Sequence, residues 1–254
     1  MSDAASVYRE VGVGAAVRDV LACGWVQRVG SSGFVQRVVP DGCVDVVRFG
    51  DGSVRVAGPA TRAVGVALAP GSVTVGVRFR VGAAGGVLGV PLSALRDEDV
   101  ELSELWDRPV VERLRSELSA AADPVAGVAV LESAMLARRR TGLAEPDPLV
   151  AAAVRGIRAR EGSAGVRSLA ARLGVSERQL LRRFQSAIGY GPATLARVLR
   201  LQRFLTAGWS EAGGTVGLGR LAADAGYADQ AHLARECREL AGASPSVMLG
   251  RRAA

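Results

Sequence analysis

The chain has 254 residues, room for two domains of ordinary size, and 49% of them are hydrophobic, so a sizeable core can form and whole-chain disorder is excluded. The formal charge is +7, and every one of the 32 basic residues is Arg, a bias that GC-rich coding explains without a functional cause. Three cysteines, Cys23, Cys43 and Cys237, lie far apart with no metal-ligand spacing, which argues against a disulfide framework and for a reducing cytoplasm.

No stretch at the start of the sequence has the pattern of a signal peptide. From Trp25 to about Val90 the pattern is that of short strands. Val35–Val39, Val44–Phe49, Val54–Ala57 and Val73–Phe79 are rich in Val and are separated by Pro40-Asp41-Gly42, Gly50-Asp51-Gly52 and Ala69-Pro70-Gly71, each a turn former. The apolar run from Val64 to Val77 is broken by Gly65, Pro70, Gly71 and Gly76, so it is no membrane span. Regular short strands point to a small barrel or sandwich. Asp41, Cys43 and Asp45 alternate and would share one face of a strand. With Arg78 they are the candidate effector-binding cluster; a turn Asp beside a buried Cys is the plainer account, and Arg78 either binds an acidic effector or pairs with Asp45.

From about Pro91 the pattern turns helical. The acidic stretch Asp97–Trp106 caps or links. Helices are expected from Pro109 to Ala121 and from Asp123-Pro124 to about Arg140, with Pro in the first turn. Their apolar faces, within 109–140, either pack internally or form a homodimer. The run Arg138-Arg139-Arg140 is a phosphate contact or, more simply, a solvated helix end. Glu145-Pro146-Asp147-Pro148 is the clearest linker, dividing residues 1–145 from 146–254, and a helix from Leu149 to about Arg160 opens the second part.

Charge divides at nearly the same place. Residues 1–150 hold 16 Arg and 18 acids, and residues 151–254 hold 16 Arg and 7 acids. The basic part also contains one pattern twice. Leu169-Ala170, Gly174, Ser176, Leu180, Arg182, Phe184, Gly189 and Pro192 recur as Leu221-Ala222, Gly226, Ala228, Leu233, Arg235, Cys237, Gly242 and Pro245. The offset is 52 residues up to the turn and 53 after it. Each copy describes a short helix, a turn at Gly, and a second helix with apolar anchors and Arg between them, which is a helix-turn-helix. The units span about 166–192 and 218–245.

In the first unit Ser176 is the N-cap, Leu180, Phe184 and Ile188 face inward, and Arg178, Leu181, Arg182 and Gln185 face outward. Arg178 and Arg182 lie one turn apart, so both can enter one groove and read guanine. Arg183 and Gln179 point elsewhere. A long helix from about Ala193 to Ala207, closed by Gly208, sets the separation of the units; Arg197, Arg200 and Arg203 along it are phosphate contacts or internal salt-bridge partners. In the second unit Leu233 and Cys237 face inward, and Gln230, His232, Ala234 and Arg235 are the outward candidates. Asp229 and Glu236 lower the local positive charge.

These two units resemble the tandem helix-turn-helix units of the AraC/XylS family of bacterial transcriptional regulators. The closest likeness lies in Gly226-Tyr227-Ala228-Asp229-Gln230-Ala231-His232-Leu233, Arg235 and Gly242-x-Ser244-Pro245. The resemblance implies an all-helical DNA-binding domain in which Arg178, Leu181, Arg182, Gln230, His232 and Arg235 face bases. Cys237 departs from the aromatic usual there. More loosely, Pro40–Asp45, Ala57-Gly58-Pro59 and Gly76–Phe79 with Gly82-Ala83-Ala84 are similar to sensory domains of such regulators, which implies a cupin-like or half-barrel β-fold. The expected fold is thus α+β: an N-terminal small β-barrel or half-barrel with trailing helices, then an all-α double helix-turn-helix domain. Expected partners are double-stranded promoter DNA, RNA polymerase, and a small-molecule or protein effector. The alternative is a protein-interaction or thiol-sensing N-terminal module without a small-molecule ligand. Residues 1–231 contain no His, which speaks against a cupin-type metal enzyme. No catalytic residue, metal or cofactor is expected, and the setting is cytoplasmic.

Overall fold

The computed structural model describes residues 6–141, 145–159, 165–210 and 216–250. The N-terminal strands are β1 (Ser6–Val11), β2 (Leu21–Val29), β3 (Phe34–Val38), β4 (Asp45–Arg48), β5 (Val54–Ala57), β6 (Val64–Leu68), β7 (Val73–Phe79) and, after helix α1 (Ala84–Leu88), β8 (Asp99–Glu101). Six strands form one antiparallel sheet in the order β1-β2-β7-β4-β5-β8, and β3 pairs with β6 in a separate ribbon. The sheet is therefore open, with β1 and β8 at its edges. Of the barrel and half-barrel expected, the half-barrel is the form present.

Strand alternation gives the sheet two unlike faces. Val26, Val46, Val56, Val75 and Val77 are buried on one face, against helices α2 (Arg108–Ala120) and α3 (Pro124–Arg139). α2 contributes Val111, Leu114 and Leu118, and α3 contributes Val128, Leu131 and Met135, so the main apolar faces within 109–140 are internal, while Val110 and Val125 stay exposed. α3 comes so close that a Cβ on Gly24 of β2 would lie 2.1 Å from Val128 Cγ1. On the other face stand Trp25, Gln27, Asp45, Thr74 and Arg78, opposite the β3–β6 ribbon.

The remaining helices are α4 (Pro148–Arg158), α5 (Gly165–Arg172), α6 (Glu177–Ile188), α7 (Pro192–Ser210), α8 (Leu218–Ala225), α9 (Gln230–Ala241) and α10 (Pro245–Met248). The expected end of α4 at Arg160 lies outside the described residues. α7 is the spine. Leu195, Val198 and Leu199 in its first half join the cluster with α4, α5 and α6. Leu201, Phe204 and Leu205 join the cluster with α8 and α9. Gly208 does not close α7, which runs on to Ser210: a Cβ there would meet Leu249 Cδ2 at 2.4 Å, so the glycine serves close packing. At 1.5 Å per residue, α7 is about 28 Å long, on the scale of one B-DNA turn. Among the described residues no helix is long and apolar enough to cross a membrane.

The helical part is docked on the sheet part at both units. Beneath the first, a Cβ on Gly189 would lie 2.6 Å from Pro59 and 2.9 Å from the Leu92 carbonyl. Beneath the second, Ala63 N–H donates to the Leu240 carbonyl at 2.7 Å and Arg37 Nη1 to the Ala241 carbonyl at 2.8 Å. Gln202 Nε2 of α7 donates to the Pro40 carbonyl at 2.7 Å.

Candidate nucleic-acid interface

In the first unit α5 and α6 meet at Gly174, whose φ of +66° suits a residue without a side chain. Ser176 caps α6 in a reciprocal arrangement: Gln179 N–H donates to Ser176 Oγ, and Ser176 N–H donates to Gln179 Oε1 at 3.0 Å. Both Ser176 and Gln179 are thus engaged in starting the helix. Leu180, Phe184 and Ile188 are fully buried. Arg178, Leu181, Arg182 and Gln185 are exposed, and neither Arg178 nor Arg182 has an ion-pair partner among the described residues. Arg183 differs, since it is tied to both oxygens of Asp147 at 3.1 Å and so joins α6 to the N-cap of α4.

In the second unit the extra residue falls between Gly226 and Asp229. Asp229 caps α9 by accepting from His232 N–H at 2.6 Å, and Tyr227 is buried in the longer turn. Leu233 and Cys237 are fully buried, so the smaller Cys237 still occupies the core position. Gln230 and Arg235 are exposed, and Gln230 lies against Gly219 of α8. His232 is turned inward. Its Nδ1 accepts from Ala228 N–H at 3.4 Å, its Nε2 is 3.6 Å from Glu236, and its ring stands edge-on to Tyr227. Ala234 is half-buried.

Sequence reasoning missed the role of Glu236. It is 4% exposed and is held by Arg200 Nη2 at 2.8 Å, Arg197 Nε at 3.4 Å and the Tyr227 hydroxyl at 3.3 Å. Arg200 also lies over the Tyr227 ring, 5.0 Å from its centroid. Arg197 pairs with Glu239 as well, and Arg203 donates to the Ala225 carbonyl at 3.4 Å. Of the two roles open to Arg197 and Arg200, the structure shows internal salt-bridge pairing. Glu236 and the Arg residues follow a helical spacing on their own helices, but nothing in the sequence says that those faces meet. Similarly, Arg138 stacks on Trp106 and Arg139 pairs with Asp19 and Glu145.

Of the effector candidates, Asp41, Asp45 and Arg78 come together. Arg78 Nε and Nη2 bond Asp45 at 3.0 and 2.9 Å, and Arg78 Nη1 is 3.6 Å from Asp41. Burial opposes the Arg78 charge, but the two carboxylates outweigh it and hold the guanidinium protonated. Burial pushes the Asp45 carboxyl up, against the pull of Arg78. All three line a cavity of about 410 Å³ between the sheet and the ribbon, with Gln202, Leu205 and Trp209 of α7 on its far side. Cys43 is not part of its wall; its N–H donates to Asp41 Oδ1 at 2.8 Å in a turn before β4 begins, so the three residues do not share a strand face. Burial pushes the Cys43 thiol up and the Cys23 thiol to about 11, which leaves both protonated at neutral pH and unlike sensing thiols.

Residues 169–251 match a family described as a helix-turn-helix domain, and residues 14–101 match a domain of unknown function (DUF6597). No curated protein matches the chain. Solved structures of ToxT from Vibrio cholerae are similar over most of their length. The apo form of a variant from strain SCE256 is 10% identical, with 97% of each chain covered and a TM-score of 0.47. ToxT from strain O395 is 8% identical, with 96% of each covered and a TM-score of 0.44.

Proposed function

We propose that the chain is a DNA-binding transcriptional regulator of the AraC/XylS type, a reading that the helix-turn-helix match over residues 169–251 supports, and that its N-terminal part, residues 1–145, is a sensory domain that gates that binding. α6 and α9 enter adjacent major-groove segments of promoter DNA, held apart by α7. Arg178 and Arg182 of the first unit, and Gln230 and Arg235 of the second, contact base edges. Leu181 packs on the bases or sugars beside them. Ser176 and His232 act at the helix starts, where they fix the angle at which each helix meets DNA.

The observation that carries the gating is the docking of the sheet part onto the end of a reading helix. The last carbonyls of a helix have no partner within it and carry partial negative charge. In α9 these groups, at Leu240 and Ala241, are satisfied by Ala63 and Arg37 from the sheet part. Arg182 also lines a cleft of about 830 Å³ whose other wall includes Gly86, Val90 and Pro91, so DNA approaching α6 meets the N-terminal part at the same place. Arg37 lines the 410 Å³ cavity too, and an effector there touches the residue that holds α9. A ligand that prefers one arrangement of β3 shifts the population of docked and released reading helices. On this reading the released form is the one that would meet RNA polymerase or a second copy of the chain.

The test is fluorescence anisotropy of the full chain on its upstream DNA and on a shuffled duplex, at two salt concentrations. Arg37→Ala is expected to tighten specific binding by about 5-fold or more, the lower end of ordinary coupling energies. Unchanged binding by Arg37→Ala counts against gating through α9. Equal, strongly salt-dependent binding to both duplexes counts against specific recognition of that DNA.

A further inference from the structure

We infer that the cavity between sheet and ribbon takes an uncharged, flat organic molecule carrying a hydrogen-bond acceptor, and that it rejects carboxylates and phosphates. This rests on the reading of that cavity as the effector site. Its volume of about 410 Å³ falls in the range of small-molecule pockets.

The charged groups on its wall are Arg37, Asp41, Asp45 and Arg78, whose formal charges cancel. The more buried cation, Arg78, is not available to a ligand. Arg78 presents both of its outer nitrogens and Nε to Asp45 and Asp41, with the Asp45 side chain only 13% exposed. Arg37 is exposed, so an anion it held would stay largely in water, and its Nη1 is given to the Ala241 carbonyl at the negative end of α9. The sequence has no lysine to supply another. An anion reaching Arg78 would have to part a two-point Arg–carboxylate pair that is largely withdrawn from water, and a cation would have to displace Arg78 from the same oxygens.

What remains is a surface for a neutral ring. The Trp25 indole packs on Gly76, where a Cβ would lie 2.4 Å from Cζ2, so the glycine clears the space the indole occupies on the sheet. Tyr8 lies beside Trp25, with centroids 5.8 Å apart and planes tilted by 35°. Trp209 stands on the α7 side. Thr74, on the same wall, is 2% exposed, and its hydroxyl has no hydrogen-bond partner among the described residues. A buried hydroxyl without a partner is costly, and an acceptor atom on a ligand relieves that cost once a small shift of the wall brings the two together.

The test is calorimetric titration of the full chain with matched neutral and anionic probes: indole-3-acetamide against indole-3-acetate, 2-naphthamide against 2-naphthoate, and decanol against decanoate. The expected result is that a flat amide binds at least 10-fold tighter than its carboxylate and tighter than decanol. Thr74→Val should weaken the amide about 10-fold while raising the melting temperature of the free chain, since it removes the unpartnered hydroxyl. Asp45→Asn should release Arg78 and reverse the preference within the same pair. Carboxylate binding equal to or tighter than amide binding in the unaltered chain overturns the inference and leaves the effector reading standing. No binding by any member of the three pairs overturns the effector reading itself.

Discussion

Arg182 and Arg183 are neighbours in sequence with opposite surroundings. Arg183 is tied to Asp147, whereas Arg182 is exposed with no described partner. Arg182→Ala should therefore cost about 1–3 kcal/mol on the preferred site and relax preference at one base position. Its effect on the melting temperature should be negligible. Arg183→Ala should do the reverse, loosening the α4–α6 junction without changing which sequence is read. Anisotropy against single-base variants, with a thermal melt of each protein, separates the two; relaxed specificity in Arg183→Ala alone would mean that the assigned face of α6 is wrong. The thiols allow a second residue-scale prediction. Burial, followed by nearby Glu10, raises Cys23 to about 11. Only the thiolate is alkylated, so the iodoacetamide rate at Cys23 should be slow at pH 7 and climb about tenfold per pH unit toward 11. A rate that is already maximal near pH 8 would restore thiol sensing as a reading of the N-terminal part.

Glu236 works at the scale of elements, because it is the point where α7 and α9 are joined. Arg200 bonds it through two nitrogens, and Tyr227 and Arg197 close around it. Glu236→Gln keeps the shape but removes the charge, so it should destabilise the second unit by about 2 kcal/mol. Because it disturbs the angle of α9 and no single base contact, DNA affinity should fall by a similar factor on every sequence. Loss confined to one base position would place Glu236 at the DNA instead. How much of this was legible varies by element. The helix-turn-helix pairs could be read to within a few residues, since their caps, turns and apolar spacing are all local. Strands β5 and β7 alternate Val or Phe with small or polar residues along the sequence and were equally plain. β1 and β6 were not, because an exposed edge strand and a ribbon strand need little apolar patterning: in β6, Val64 stays half exposed and only Leu68 is buried. β2 carries apolar and polar side chains on both faces, with Val26 and Arg28 on one and Trp25 and Gln27 on the other, and so hides its alternation. The cavity was legible only as Asp41, Asp45 and Arg78. Its aromatic wall comes from β1, β2 and α7, and the sheet order that gathers these residues is set by pairing between distant strands.

On the scale of the whole molecule, the sheet part meets each helix-turn-helix unit through a separate contact, and the two can be broken one at a time. The first unit meets it at Gly189, the left-handed C-cap of α6, with φ of +96° and no room for a Cβ beside Pro59 and the Leu92 carbonyl. Gly189→Ala is strained by its backbone and must also push the Leu92 turn away, a combination that costs about 1–3 kcal/mol. The second unit meets it at the end of α9, and Arg37→Ala removes a side-chain bond there with no backbone strain. α7 joins the two units, but its halves pack into different clusters. Hydrogen exchange should therefore show two local openings. Gly189→Ala should lower protection around Leu92–Leu95 and the end of α6 while α9 stays protected. Arg37→Ala should lower it at the end of α9 and in β3 while α6 stays protected. If either substitution deprotects both contacts equally, the reading helices release as one body, and α7 carries the coupling between them.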